Sequence, residues 1–355
     1  MPPPARVALL GYGLAGAVLH APFIATTPGL RLAAIVTRNE ERRNRARRDH
    51  PGVSLLDSAE QVWAKADEFD VVVVAAPNRA HVALALGALE AGLPVVVDKP
   101  LAGSAADGRA LVERARERGL MLTVFQNRRW DGDFLTLRGL LQREALGQVY
   151  RFESRFERWR PQIVEGWREL ASAEEAGGVL FDLGSHLVDQ AVQLFGPVRT
   201  VYGELANRRS GAVVDDDAFV ALEHVSGVHS HLWMSSVAAQ KGPRFRVLGE
   251  RAAYTKDGPD VQEEALRAGL TPGGPGWGKE GEKLWGQLGI DGELRPIPTE
   301  PGSYGAFYEA LVASLRDGGP PPVDPDDAVA VLEILDAVRL GHEKRESRVG
   351  RASRT

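Results

Sequence analysis

The chain has 355 residues, more than one hydrophobic core usually serves, so two domains are expected. Apolar residues at 44% and charged residues at 26% exclude disorder throughout, and no apolar run approaches the ~20 residues of a membrane-spanning helix. A net charge of -5 excludes a general nucleic-acid footprint, and the absence of cysteine excludes disulfides, thiolate metal sites and cysteine nucleophiles.

The chain opens Met1-Pro2-Pro3-Pro4-Ala5-Arg6, with no apolar stretch of a secretory signal, so a cytoplasmic protein without membrane contact is expected. Unbroken apolar runs then recur at 7–10, 32–36, 71–74, 95–97 and 121–124. Strands covered on both faces of a parallel sheet read this way. Segments 81–91 and 105–118 are long enough for crossover helices, so residues 1–125 are predicted as a doubly wound α/β domain. The rhythm changes after 126. Residues 133–141 read as a helix, and from Val149 the pattern alternates through Tyr150, Phe152, Ser154 and Phe156. Further strands are predicted at 198–205, 218–224, 228–234, 244–248 and 252–255, with helices at 184–195, 304–315 and 326–340. Residues 126–342 are therefore expected to form an α+β domain with a large, mostly antiparallel open sheet. The Gly- and Pro-rich stretch 257–302 reads as a long loop, and 343–355 as a polar, frayed tail.

Five motifs carry chemistry. The first strand runs into Gly11-Tyr12-Gly13-Leu14-Ala15-Gly16, and a helix follows. Gly11 permits the tight turn, Gly13 lets a pyrophosphate approach the backbone, and Gly16 lets the helix pack on the sheet. This marks residues 1–125 as a dinucleotide-binding Rossmann domain. The second strand ends in Thr37-Arg38, followed by Arg42 and Arg43, where an acidic residue would accept a ribose hydroxyl. A hydroxyl and a guanidinium suit a 2'-phosphate, so NADP is expected, with NAD as the alternative. Arg45, Arg47 and Arg48 read as a solvated helix face. Pro77-Asn78, with His81 three residues on, follows the third apolar run, at a carboxyl strand end where ligands sit; Asn78 also suits a helix cap.

Asp98-Lys99-Pro100 follows the fourth run and puts Lys99 at the same sheet edge; alone, a surface loop lysine is the better explanation. In Gly177-Gly178-Val179-Leu180-Phe181-Asp182-Leu183-Gly184-Ser185-His186, Asp182 and His186 are four apart and share a helix face. A carboxylate and an imidazole so placed suit general acid–base work, and a capping Asp182 with a core His186 is the plain alternative. His229 and His231 also share a strand face, but no third ligand stands at a convincing spacing, so no metal is expected.

These residues resemble the Gfo/Idh/MocA family of NAD(P)-dependent oxidoreductases along essentially the whole chain. The family turn is usually Glu-Lys-Pro; Asp98 is one methylene shorter. The run Phe125-Gln126-Asn127-Arg128-Arg129-Trp130-Asp131, with Trp277-Gly278-Lys279-Glu280, is most similar to the NADP-dependent scyllo-inositol dehydrogenase branch. The resemblance implies hydride transfer between the nicotinamide and a secondary hydroxyl of an inositol-like polyol or sugar, bound in the cleft between the domains. It implies that His186 takes the hydroxyl proton, an unperturbed imidazole titrating near ~6.5. Lys99 would stabilise the oxyanion, and Asp182 would bind a substrate hydroxyl or orient His186. Gly11, Tyr12, Gly13, Leu14, Gly16, Thr37, Arg38, Pro77, Asn78, His81 and Lys99 would line the cofactor, and Arg128, Arg129 and Trp159 the substrate pocket. An aldose 1-dehydrogenase, a keto-sugar reductase and a non-catalytic dinucleotide-sensing regulator are the alternatives; a sensor would be expected to lose Lys99 or His186. One face of the second sheet lacks a helix to cover it, and Val220, Leu222, Leu232 and Met234 are apolar enough for pairing. A homodimer or homotetramer through that sheet is expected.

Overall fold

The computed structural model describes residues 3–163 and 175–352, with side chains to Lys344. The chain divides into two compact units. One comprises Met1–Asp131, Val261–Gly278 and Gly302–Val329; the other comprises Gly132–Asp260, Lys279–Pro301 and Ala330–Thr355. The division is therefore not a single cut near 125: the chain returns to the first unit twice.

The first unit is built on six parallel strands: β1 (Ala5–Leu10), β2 (Leu30–Val36), β3 (Ser54–Leu56), β4 (Val71–Val74), β5 (Val95–Asp98) and β6 (Leu122–Phe125). Their order is β3-β2-β1-β4-β5-β6. All four valines of β4 are fully buried, as the unbroken run requires. The strand order reverses between β1 and β4, and ligands bind at the carboxyl ends beside such a switch. Aromatic packing explains the returning segments. Tyr304, Phe307, Tyr308 and Leu311 are fully buried. Tyr308 stacks on Phe23 at 5.7 Å between ring centroids, and Phe307 meets the edge of Phe125 at 4.9 Å. Gln262 donates to the carbonyl of Trp130 at 3.1 Å, and its Oε1 accepts from the backbone of Tyr304 at 2.8 Å.

The second unit carries an eight-stranded sheet: β7 (Val149–Glu157), β8 (Val198–Ala206), β9 (Asp217–His224), β10 (His229–Ser235), β11 (Phe245–Gly249), β12 (Ala253–Lys256), β13 (Gly286–Ile290) and β14 (Glu293–Ile297). The order is β14-β13-β12-β11-β7-β10-β9-β8, antiparallel except for β7 with β10. Part of the expected loop 257–302 is thus a hairpin. Asp291-Gly292 forms the two-residue turn between Ile290 and Glu293, and Gly292 adopts φ +89°. The helix Gln262–Arg267 lies in the same stretch. The last helix, Pro325–Ala352, continues through most of the expected tail, and 353–355 lie outside the described residues.

Val220, Leu222, Leu232 and Met234 are at most 1% exposed, and Met234 lies against Gly184 at the start of the helix Ser185–Phe195. They fill the unit's interior and present nothing for pairing. The period of two puts Phe219, Ala221, His231 and Trp233 on the other face, where all four are partly exposed. No helix among the described residues is long and apolar enough to cross a membrane.

Candidate active site

In the first unit, β1, β4 and β5 lie side by side with Leu10, Val74 and Val97 in register. Neighbouring strands are about 4.8 Å apart, so the chain leaves β1 at Gly11 and β5 at Lys99 about 10 Å apart, with the Ala76-Pro77-Asn78 turn between them. The glycines behave as their spacing requires. Gly11 has φ +103°, and a side chain there would run into the carbonyl of Ala75. A side chain on Gly16 would strike the carbonyl of Gly11. At Gly13 the space is open: among the described residues beyond its chain neighbours, a side chain there would meet the guanidinium of Arg42 at 3.8 Å. That opening, at the start of a helix, fits a diphosphate.

The remaining cofactor candidates sort by environment. Tyr12 is 1% exposed and turns its hydroxyl to Asp49 at 3.3 Å; burial and Asp49 push the phenol up. Its side chain therefore belongs to the core, leaving its backbone for the loop. Leu14 is exposed. Thr37 is buried at the end of β2, and Arg38 donates to the carbonyl of Asp57 at 3.0 Å. Arg43 is neutralised by Asp57 at 2.6 Å. Arg42 is exposed, and among the described residues its guanidinium has no hydrogen bond or ion pair. The arginine run thus divides in three: Arg38 at the strand end, Arg42 at the phosphate loop, Arg43 locked to Asp57.

Asn78 is buried in the turn after β4. His81 is 1% exposed, and its two ring nitrogens face backbone carbonyl oxygens, that of Pro100 at 2.8 Å and that of Ala76 at 2.9 Å. Asp98 accepts from the backbone N–H of Lys99 at 2.9 Å, and the Lys99–Pro100 peptide is cis. Behind Asp98 stands fully buried His20. Its Nδ1 meets the Tyr308 hydroxyl at 2.7 Å, and its Nε2 lies 3.9 Å from the Asp98 carboxylate. Sequence reading missed His20 and Tyr308, because nothing in a lone His or a distant Tyr announces this pairing.

Arg128 is bound to Asp131 at 3.2 Å and to Glu263 at 2.9 Å, and Arg129 to Asp327 at 3.0 Å. All of these residues are in the first unit, so both guanidiniums hold its returning segments in place.

In the second unit, Asp182 and His186 lie one turn apart on successive helical segments, Leu180–Gly184 and Ser185–Phe195. His186 is 5% exposed, with the ring of Phe156 edge-on at 6.3 Å. The Asp182 side chain is 22% exposed, and Arg158 lies 3.8 Å away. Asp215 anchors the start of this helix. Its carboxylate accepts from Leu180 N–H at 2.7 Å and its carbonyl from Val179 N–H at 2.9 Å. Gly178, at φ +90°, is required because a side chain would enter that carboxylate. Burial, helped by Asp216, pushes the Asp215 carboxyl up to about 6. The run Asp215-Asp216-Asp217 was the only sequence signal for this anchor, and spacing could not place it. Trp159 is 56% exposed and bridges to Val237. His231 rests between Phe219 and Trp233.

The NAD-binding Rossmann fold of the Gfo/Idh/MocA oxidoreductases matches residues 5–126, and their C-terminal alpha/beta domain matches residues 138–349. The chain belongs to the Gfo/Idh/MocA oxidoreductase family. Among its Gfo/Idh/MocA relatives is the scyllo-inositol 2-dehydrogenase (NADP(+)) IolW of Bacillus subtilis, 32% identical over 96% of this chain and 94% of that one. The oxidoreductase YdgJ of Escherichia coli is 39% identical over 97% of each chain. The solved structure of YvaA from Bacillus subtilis superposes with a TM-score of 0.91 at 31% identity, over 97% of this chain and 98% of that one. A nicotinamide dinucleotide is therefore the cofactor class.

Proposed function

We propose that the protein is an NADP(H)-dependent oxidoreductase that interconverts a secondary hydroxyl of an inositol-like polyol or sugar with the corresponding ketone. The observation that carries this reading is the single sheet edge shared by the open phosphate loop at Gly13, the Arg42 guanidinium beside it, and Lys99 at the end of β5. The NADP-linked inositol dehydrogenase relative supports the substrate class.

When bound, the nicotinamide supplies the two-electron hydride acceptor. Gly11, Gly13 and Gly16 give its diphosphate a helix N-terminus, and Thr37, Arg38 and Arg42 take the 2'-phosphate. In the oxidising direction His186 accepts the hydroxyl proton as the hydride leaves carbon, and Lys99 stabilises the negative charge on oxygen. Asp182 holds a neighbouring hydroxyl or orients the imidazole. In the reducing direction His186 returns the proton. Lys99→Ala and His186→Ala should each lower turnover by about 10²-fold or more, the usual scale for such groups, while His186→Ala leaves NADPH affinity nearly unchanged. The test is a screen of inositols, other polyols and aldoses with NADP and NAD, read at the nicotinamide absorbance band. Near wild-type turnover by His186→Ala would move the proton step to another group, with Lys99 the next candidate.

A further inference from the structure

The β4–β5 ladder ends at Val74 and Val97, before either strand reaches the residues placed at the site. One buried side chain spans the gap beyond. Nδ1 of His81 lies 2.8 Å from the carbonyl oxygen of Pro100, and Nε2 lies 2.9 Å from that of Ala76. Pro100 follows Lys99, and Ala76 precedes Pro77-Asn78. We propose that His81 is a positioning residue, tying the turn that bears Lys99 to the strand end that bears Asn78 so that both meet the nicotinamide in one register. This rests on the reading of Lys99 given above.

The two ties differ in kind. A carbonyl only accepts, and a neutral imidazole has one N–H. The neutral ring bonds one carbonyl and turns a lone pair on the other; the imidazolium bonds both. Charged groups facing the ring are Asp98, which favours the second proton, and Lys99, which opposes it. Asp98 in turn faces His20. Burial pushes the ring below the ordinary imidazole value, against Asp98 and the two carbonyls. One tie therefore persists at neutral pH, and the second closes as pH falls below the ordinary imidazole range. Burial opposes ionisation of Asp98 as well, but His20, Lys99 and His81 outweigh it and hold its carboxyl below the usual range, so the counter-charge stays in place throughout.

The experiment is a pH titration of the full-length protein labelled with 15N-histidine, followed by NMR, with His81→Gln identifying the resonances. The expected result is one ring N–H protected from solvent exchange at pH 8, and a second that appears only below the ordinary imidazole range. Ring N–H groups that exchange freely, or a ring titrating at the ordinary value, would overturn the proposal. Turnover supplies the second readout. His81→Phe keeps a ring but no donor, and should lower kcat by about 10-fold or more with NADPH affinity held within about threefold. His81→Gln retains a donor and should recover part of that loss. Wild-type kcat in His81→Phe, or a loss in both variants that only tracks the unfolded fraction, would contradict it. A wild type that oxidises no polyol would sink the proposed activity, and the NMR titration would still decide the tie.

Discussion

Arg42 shows what a side chain's surroundings add to its place in a motif. In the sequence it is one of several arginines after β2; in the structure it alone is exposed beside Gly13 without a partner among the described residues. Arg43, next to it, is spent on Asp57. Two substitutions follow for the cofactor. Arg42→Ala should weaken NADPH about 10- to 10²-fold and NADH less, because a guanidinium beside the diphosphate opening serves both cofactors and only NADPH adds a 2'-phosphate for a charge-assisted bond. Thr37→Asp should reverse the preference by supplying an acceptor for the ribose hydroxyl and repelling the phosphate. Paired fluorescence titrations with both reduced cofactors check this, and equal wild-type affinity for the two would contradict it. The glycines were legible in the sequence because their role is backbone geometry, fixed by the chain on either side. The roles of Arg128 and Arg129 were not, because Glu263 and Asp327 lie more than a hundred residues away.

At the level of elements, the helix carrying Asp182 and His186 depends on a carboxylate from another part of the second unit. Asp215 is drawn into its place by two backbone N–H groups, yet burial makes its charge costly, which raises its carboxyl to about 6. A carboxyl whose folded value lies above the unfolded ~3.9 binds its proton more tightly when folded. It therefore favours the folded state at acid pH, and that advantage is lost as pH rises from about 4 through 6. Asp215→Asn keeps an acceptor for Leu180 N–H and removes the charge. It should stabilise the protein at pH 8, by at most about 3 kcal/mol, and have little effect at pH 4. Denaturant unfolding at the two pH values measures this; destabilisation at pH 8 would show that the charge itself is needed. Strands with strong alternation or unbroken apolar runs were readable in the sequence. The β13–β14 hairpin was not, because its strands hold Gly286, Gly289 and Pro296, which weaken a strand pattern, although Asp291-Gly292 is a hairpin turn signal.

For the whole molecule, the sequence indicated an open sheet but misassigned its two faces. Val220, Leu222, Leu232 and Met234 read as surface only if the helix at 185–195 lies on the other side, a choice that alternation alone does not make. The opposite face shows Phe219 and Trp233 with ring centroids 5.1 Å apart and Arg155 over Trp233 at 4.0 Å. Glu153 and Arg246 pair beside them at 2.9 Å. For this aromatic patch flanked by charged residues we propose a second copy of the chain as the occupant. Light scattering should give at least twice the 38.4 kDa chain mass at micromolar concentration, and Trp233→Asp should shift it toward the single chain. A wild type that scatters only as a monomer would contradict this.

The central claim is that His186 and Lys99 act on one hydroxyl in an NADP-linked oxidation. It is tested most directly by the initial rate of NADP reduction with scyllo-inositol and related polyols, measured in parallel for wild type, Lys99→Ala and His186→Ala. The account predicts NADP reduction by the wild type and a fall of about 10²-fold or more in each variant. Turnover undiminished in both variants, or no NADP reduction by the wild type with any polyol or sugar, would contradict it.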